Sequence, residues 1–486
     1  MESLMNPNPN LLQTFEQLLH GWESLFPQYR TFVRARRLTF GLLVCLRQHL
    51  TSNAICALGR QGEDWSADYR VLSRSPWDPQ RLFAPIFDGL RRFLKPDNAP
   101  LLVALDDTSC KKTGRKIPGV NTLRDPLSPP FRVNLHRALR FVQGSFLVLP
   151  ASPGPARALP LRFEPAPLPV KPKKKDSAEL KELYRQQKKL RCLSQVGVNL
   201  LHSVRQQFDL AADTAKRQLL ALVDGSYTNK TVLTQLPPRT TLIGRIRKDA
   251  KLKQPLPPAL AKGNRRYGPP APTPEQVLKD PSFPFVTVKV FAAGKLRELA
   301  VKTLAPLFWS RAGHLQPLRL VVIKPLGYRL SNQSKLLYRD PAFLICTDIN
   351  LPLLDLVQAY VYRWEIECNH RDEKSYIGVA EGQVRSPQAV TRLPQFQVAG
   401  YSLLLLASLL AHGFERGDQF LPLPKWRNQP PLRPSILDHL NLLRAQLFEQ
   451  ALPASQSSPH FASSSPSDAN GPHFHITPTN LVFPTC

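Results

Sequence analysis

From about Asn10 to Lys95, apolar residues recur every three to four positions with Arg between them, as in FEQLLHGWESLF, TFVRARRLTFGLLVCLRQHL and RLFAPIFDGLRRFL. That spacing predicts a run of amphipathic helices. Pro96 and Pro100 end it, and the period then changes. LLVALDD (Leu101 to Asp107) is apolar up to its terminal acids, as expected for a strand covered on both faces. FRVNLHRALRFV and SFLVLP predict two further strands, and PLPVKPKKKD (Pro167 to Asp176) an exposed linker. A long polar helix is expected from about Ser177 to Phe208. QLLALVDGSY carries a strand ending at Asp224, TTLIGRIRKDA carries another, and a proline-rich loop follows from Gln254 to Pro274.

Between Phe285 and Thr347 the pattern alternates again. FVTVKVFAAGKLRELAV reads as a hairpin, and LRLVVIKP and FLICTD as strands, together a β-rich insertion. Helices are expected from Leu351 to about Tyr376 and from Pro387 to about His412. The latter contains AGYSLLLLASLLA (Ala399 to Ala411), shorter than the roughly 20 apolar residues that span a bilayer. It reads as a buried core helix, so no membrane partner is expected. From Leu452 onward the chain is rich in Ser and Pro and reads as disordered.

Composition narrows the partners. Among 486 residues, 65 Lys and Arg stand against 36 Asp and Glu, a net charge of +29. A field of that sign and size suits a polyanion, nucleic acid first. Apolar residues make up 42%, enough for more than one core. The Cys residues (45, 56, 110, 192, 346, 368 and 486) form no C-x-x-C pair, and the first residues lack a basic and apolar leader. A zinc ribbon, a disulfide framework and secretion are not expected, and a reduced, cytoplasmic protein is.

The candidate chemistry rests on carboxylates. Asp106 and Asp224 each end an apolar strand, where desolvation disfavours the anion unless a cation meets it. Each Asp alone could equally cap the following turn. Two of them converging favour a divalent metal, and oxygen-only ligands suit Mg²⁺ or Mn²⁺. The helix YVYRWEIECNHRDEK adds a third acid. At about 100° per residue, Tyr360, Arg363, Glu367 and Lys374 fall in one stripe about 60° wide, with Glu365, Asp372 and Glu373 on other faces. An ordinary surface pair between Arg363 and Glu367 is the alternative. Trp309 reads as a core residue, with stacking on a displaced base as the alternative.

Tyr360, Arg363, Glu367 and Lys374 match the Y-x(2)-R-x(3)-E-x(6)-K signature of one large group of DDE-type insertion-sequence transposases. Asp106-Asp107-Thr108 resembles that group's D-x-T motif, and VDGSYTN, with Asp224, Gly225 and Tyr227, its D-G-x-Y motif. The resemblance runs from about Leu101 to Arg385. It implies an α/β (α+β) fold, an RNase H-like mixed sheet flanked by helices, with a β-rich insertion; the N-terminal helical domain lies outside it, and its DNA-binding role is expected from position and charge alone. It implies Asp106, Asp224 and Glu367 as catalytic metal ligands for two Mg²⁺ or Mn²⁺ ions. Arg363 and Lys374 would contact DNA phosphates, and Tyr360 would help position the strand. Strand alternation lets only one of Asp106 and Asp107 reach the metals, and Asp106 fits D-x-T. The implied activity is cleavage of transposon terminal inverted repeats and joining to target DNA by a homodimer on DNA, in the bacterial cytoplasm at the nucleoid. The alternatives are an endonuclease without strand transfer and a catalytically silent DNA-binding protein.

On this reading residues 1–97 form a DNA-binding helical domain, 98–250 the first part of the core and 251–350 the loop and insertion. Residues 351–415 form the core helices with Glu367, 416–451 a C-terminal helical segment and 452–486 the tail.

Overall fold

The computed structural model describes residues 10–451 except 97, 115, 126, 127, 130, 262, 313, 314, 330–332 and 428, so the expected disordered tail lies outside the described residues. The N-terminal helices are α1 (Leu11–His20), α2 (Tyr29–Val44), α3 (Thr51–Ala57), α4 (Ser66–Ser73) and α5 (Ala84–Leu90). Strands β1 (Leu101–Lys111), β2 (Asn121–Arg124), β3 (Leu135–Val148) and β4 (Arg157–Pro165) follow. Next come α6 (Ala178–Leu190), α7 (Leu193–Asp209), α8 (Ala212–Ala215), β5 (Leu219–Val223), α9 (Lys230–Leu233), β6 (Thr240–Arg245) and α10 (Pro274–Lys279). The insertion holds β7 (Val286–Ala292), β8 (Lys295–Leu307), β9 (Leu318–Ile323), β10 (Gly327–Tyr328), β11 (Leu337–Tyr338) and β12 (Ala342–Cys346). Helices α11 (Leu353–Tyr362), α12 (Trp364–Ser375), α13 (Pro387–His412) and α14 (Ile436–Ala451) complete the described chain.

One mixed sheet organises the molecule, in the order β2-β3-β1-β5-β6-β12-β9-β8-β7, with β4 also on β3. Strands β1, β5 and β6 run parallel at its centre, and their neighbours β3 and β12 are antiparallel. All five residues of β5 are buried, as a strand covered on both faces requires. The insertion strands β7, β8, β9 and β12 extend this same sheet, while β10 and β11 pair separately. The fold is therefore mixed α/β, a sheet flanked by helices, compatible with an RNase H-like core.

Several elements differ from the expected pattern. β1 does not stop at its acids: it continues to Lys111, so Asp106 lies within a strand. The two strands expected around Gly144 are one, β3, with an irregularity between Gly144 and Ser145. β4 was not expected because Pro160 and Pro165 interrupt its pattern; it pairs only with β3, an edge position where a missing N–H is tolerated. The long polar helix splits at Cys192, which is extended, letting α7 bury Val198, Leu201 and Val204 while α6 buries nothing.

Helix α13 spans the predicted residues and is long and apolar enough to cross a membrane, yet 94% of its apolar window is buried. It is a core helix, and α1, α2, α4, α5 and α14 all pack on it. Trp22 shows how tightly: its Nε1 donates to the Leu82 carbonyl at 2.8 Å, and its ring lies 5.3 Å from that of Phe396 on α13. The N-terminal helices thus share one continuous core with α13 and a face of the sheet.

Candidate active site

The parallel register sets out the site. Leu105 of β1 pairs with Val223 of β5, which pairs with Gly244 of β6. One residue further along each strand stand Asp106, Asp224 and Arg245, level with one another. Side chains at the same level of parallel strands leave the same face, so two carboxylates and a guanidinium form a row. Gly244 is needed here: a Cβ would lie 2.2 Å from Thr228 Oγ1 and 2.8 Å from Val223 Cγ2.

Asp224 is fixed by the turn after it, accepting from Ser226 N–H at 2.9 Å and from Ser226 Oγ at 3.1 Å. Asp106 accepts from the Asp107 N–H at 2.8 Å. Its next neighbour points elsewhere, as alternation demands: Asp107 accepts from Arg140 Nε at 2.6 Å, beside the buried Tyr227. Asp106 lines the cavity described below, and Asp107 is not among its lining residues.

The third acid arrives on α12. The continuous helix expected from Leu351 to Tyr376 is instead two, joined at Arg363. Here the bonds tighten to three-residue closures, from Arg363 N–H to the Tyr360 carbonyl and from Ile366 N–H to the Arg363 carbonyl. Such closures overwind the chain, so a stripe drawn on a straight helix does not hold along its full length. Tyr360, Arg363 and Glu367 line the cavity, whereas Lys374 is exposed and outside its lining. Glu365 faces away and pairs with Arg433 at 2.7 Å.

Arg363 joins the acids. Its Nη1 donates to Asp106 Oδ2 at 3.1 Å and its Nη2 to Glu367 Oε1 at 2.7 Å, with its Cζ 5.8 Å from the Tyr360 ring centre. Burial opposes its charge, but Tyr360, Asp106 and Glu367 prevail and hold its pKa above the ordinary value. Burial pushes the Asp106 carboxyl up to about 7, Arg363 opposing the rise and Asp224 adding to it. Burial thus disfavours the anion even with Arg363 beside it. Oxygen donors alone suit a hard divalent ion, although no three His, Cys, Asp or Glu among the described residues are gathered closely enough to hold one.

Asp106, Asp224 and Glu367 share a cavity of about 1450 Å³. Lys230, Arg245, Lys248 and Arg311, all exposed, form much of its rim, and Trp309 lines it while also packing on the core. These basic residues escaped the sequence reading. The helix periodicity that singled out Arg363 says nothing of Arg245, whose alignment with Asp224 appears only once the strands are in register.

Behind α12 lies a buried polar layer. Asn369 donates to the Ala158 carbonyl at 3.1 Å and accepts from Ser145 Oγ at 3.2 Å. Burial pushes Glu373, 1% exposed, up to about 8, with Gln143 and Lys374 opposing. Gln143 Oε1 and Glu373 Oε1 are both buried without a hydrogen-bond partner. The folded value exceeds the ordinary 4.5, so the folded protein keeps a proton that the unfolded chain loses. This group's contribution to stability is complete below pH 4.5 and is lost as pH rises through about 8. Glu373→Gln is therefore expected to raise Tm by a few degrees at pH 8 and scarcely at pH 4.5. Thermal melts across that range check it, and an equal effect at both ends rejects it.

Comparison with the curated proteins finds no match. A family model described as DDE superfamily endonuclease matches residues 24–303, which include Asp106 and Asp224 and stop short of Glu367. That match covers more than half of the chain, from the N-terminal helices into the insertion, and the chain belongs to the DDE superfamily endonucleases.

Proposed function

We propose that the protein is a DNA transposase of the insertion-sequence group with the Y-R-E-K helix signature, cutting transposon ends and joining them to target DNA. The observation that carries this reading is the level row of Asp106 and Asp224 at the sheet centre, with Glu367 brought over it in one basic-rimmed cavity. Asp106, Asp224 and Glu367 would hold two Mg²⁺ or Mn²⁺ ions, which when bound activate a hydroxyl nucleophile and stabilise the departing oxygen.

The remaining work falls to the chain. Lys230, Arg245, Lys248 and Arg311 hold the phosphate backbone along the cavity, which makes affinity fall steeply with salt. Arg363, beside Tyr360, would turn its planar fork to a phosphate. Lys374, exposed on the next turns of α12, touches the duplex beyond the cavity. The N-terminal helices, residues 1–97, read the element's terminal repeats, and a homodimer assembles on DNA in the cytoplasm, at the nucleoid.

A plasmid carrying the DNA that flanks this reading frame tests the proposal. With Mg²⁺, the purified protein is expected to give nicked ends and joined products, and neither with EDTA. Cleavage without joining would assign an endonuclease, and binding without cleavage a silent DNA-binding protein.

A further inference from the structure

Arg363 cannot meet DNA in the conformation it adopts here. Both terminal nitrogens of its fork are engaged, Nη1 on Asp106 and Nη2 on Glu367, and its side chain is only 12% exposed. It therefore stands between two of the three carboxylates that the proposed function assigns to metal. A guanidinium keeps its charge at any working pH, so it cannot leave by losing a proton. It can leave only by exchange, when another cation takes the carboxylates and another anion takes the fork.

We infer that Arg363 is the resident counter-cation of the DNA-free site, and that divalent metal and a DNA phosphate enter together by displacing it. This rests on the metal-ligand reading of Asp106, Asp224 and Glu367. The junction between α11 and α12 suits the exchange, because Arg363 is the residue between the two helices, where three-residue closures from its N–H to the Tyr360 carbonyl and from Ile366 N–H to its carbonyl replace the helical pattern. A phosphate offers the fork two oxygens in place of one from each of two carboxylates. The exposed cations Lys230, Arg245 and Lys248 bring such a phosphate to the same cavity.

The exchange makes the two ligands help each other. Metal bound to Asp106 and Glu367 frees the fork for phosphate, and phosphate on the fork frees the carboxylates for metal. Such coupling is reciprocal: each ligand raises the affinity of the other by the same factor. A protein built this way takes up metal poorly until DNA is present, which keeps an armed nuclease centre from forming away from its substrate.

Mn²⁺ binding, followed by the paramagnetic signal of the free ion, reads this without relying on activity. The probe is Mn²⁺ alone or with a short duplex of the flanking DNA. Wild type is expected to bind Mn²⁺ at least about five-fold more tightly with the duplex than without it. Arg363→Gln, which removes the charge and keeps most of the volume, is expected to bind Mn²⁺ without DNA at least about five-fold more tightly than wild type and to gain little more from the duplex. Arg363→Lys retains one charge that can satisfy only one carboxylate at a time, and falls between them. Arg363→Gln or Arg363→Lys binding Mn²⁺ no more tightly than wild type in the absence of DNA overturns the inference. Asp106→Asn leaving Mn²⁺ binding unchanged in both wild type and Arg363→Gln would instead remove the metal-ligand reading itself.

Discussion

Asp106→Asn is expected to lower metal-dependent DNA cleavage by at least about a thousand-fold, and Asp107→Asn by less than about ten-fold. The two residues are neighbours in one strand and differ in what they face. Asp106 lines the cavity level with Asp224, and Asp107 is held by Arg140. Losing a metal ligand removes several kcal/mol of charge stabilisation at the reacting phosphate, and each 1.36 kcal/mol is about ten-fold in rate. Losing Asp107 leaves Arg140 without its partner, a cost that appears in stability more than in turnover. Asn has nearly the shape of Asp and removes a buried charge, so a folded, inactive Asp106→Asn protein is the expected result. Single-turnover cleavage rates alongside thermal melts separate the two effects. The reverse order of losses would transfer the ligand role to Asp107.

The second large effect is on folding. Trp22→Ala is expected to destabilise the protein by about 3–5 kcal/mol. The side chain is fully buried, packs at a tilt against Phe396 and gives its only donor to the Leu82 carbonyl. Truncation leaves a large cavity where the N-terminal helices meet α13, together with an unsatisfied carbonyl. Trp426, 85% exposed, supplies the contrast: its replacement by Ala should change stability by less than about 0.5 kcal/mol. Chemical denaturation of both variants decides the matter, and similar midpoints would show that the N-terminal helices do not depend on this joint.

Much of this architecture could be read from the chain, and the reasons differ by element. α13 was legible to its ends because Ser386 and Pro387 start it and a long apolar run fills it. Asp106 in β1 and Asp224 just after β5 stood out because each follows five apolar positions, where desolvation disfavours the anion. β4 was hidden by its own prolines, which only an edge position accommodates. The junction at Arg363 was hidden because its conformation stays helical (φ −51°, ψ −31°) and only the hydrogen bonds shorten. Arg245 belongs to another class: its importance lies in which residue stands beside it, and lateral register between distant segments is not written in any local pattern.

The inserted strands carry a consequence for how the third acid is held. Gln358 of α11 lies along the open edge of β7 and behaves as a short length of neighbouring strand. Its Oε1 accepts from the Phe291 N–H at 2.8 Å and its Nε2 donates to the Phe291 carbonyl at 3.2 Å. The hairpin is in this respect a mooring: five residues beyond Gln358 comes Arg363, and four beyond that Glu367. Trimming the hairpin would take away this clasp on α11, leaving α12 to its packing on β1 and β4, with every acid still in the sequence.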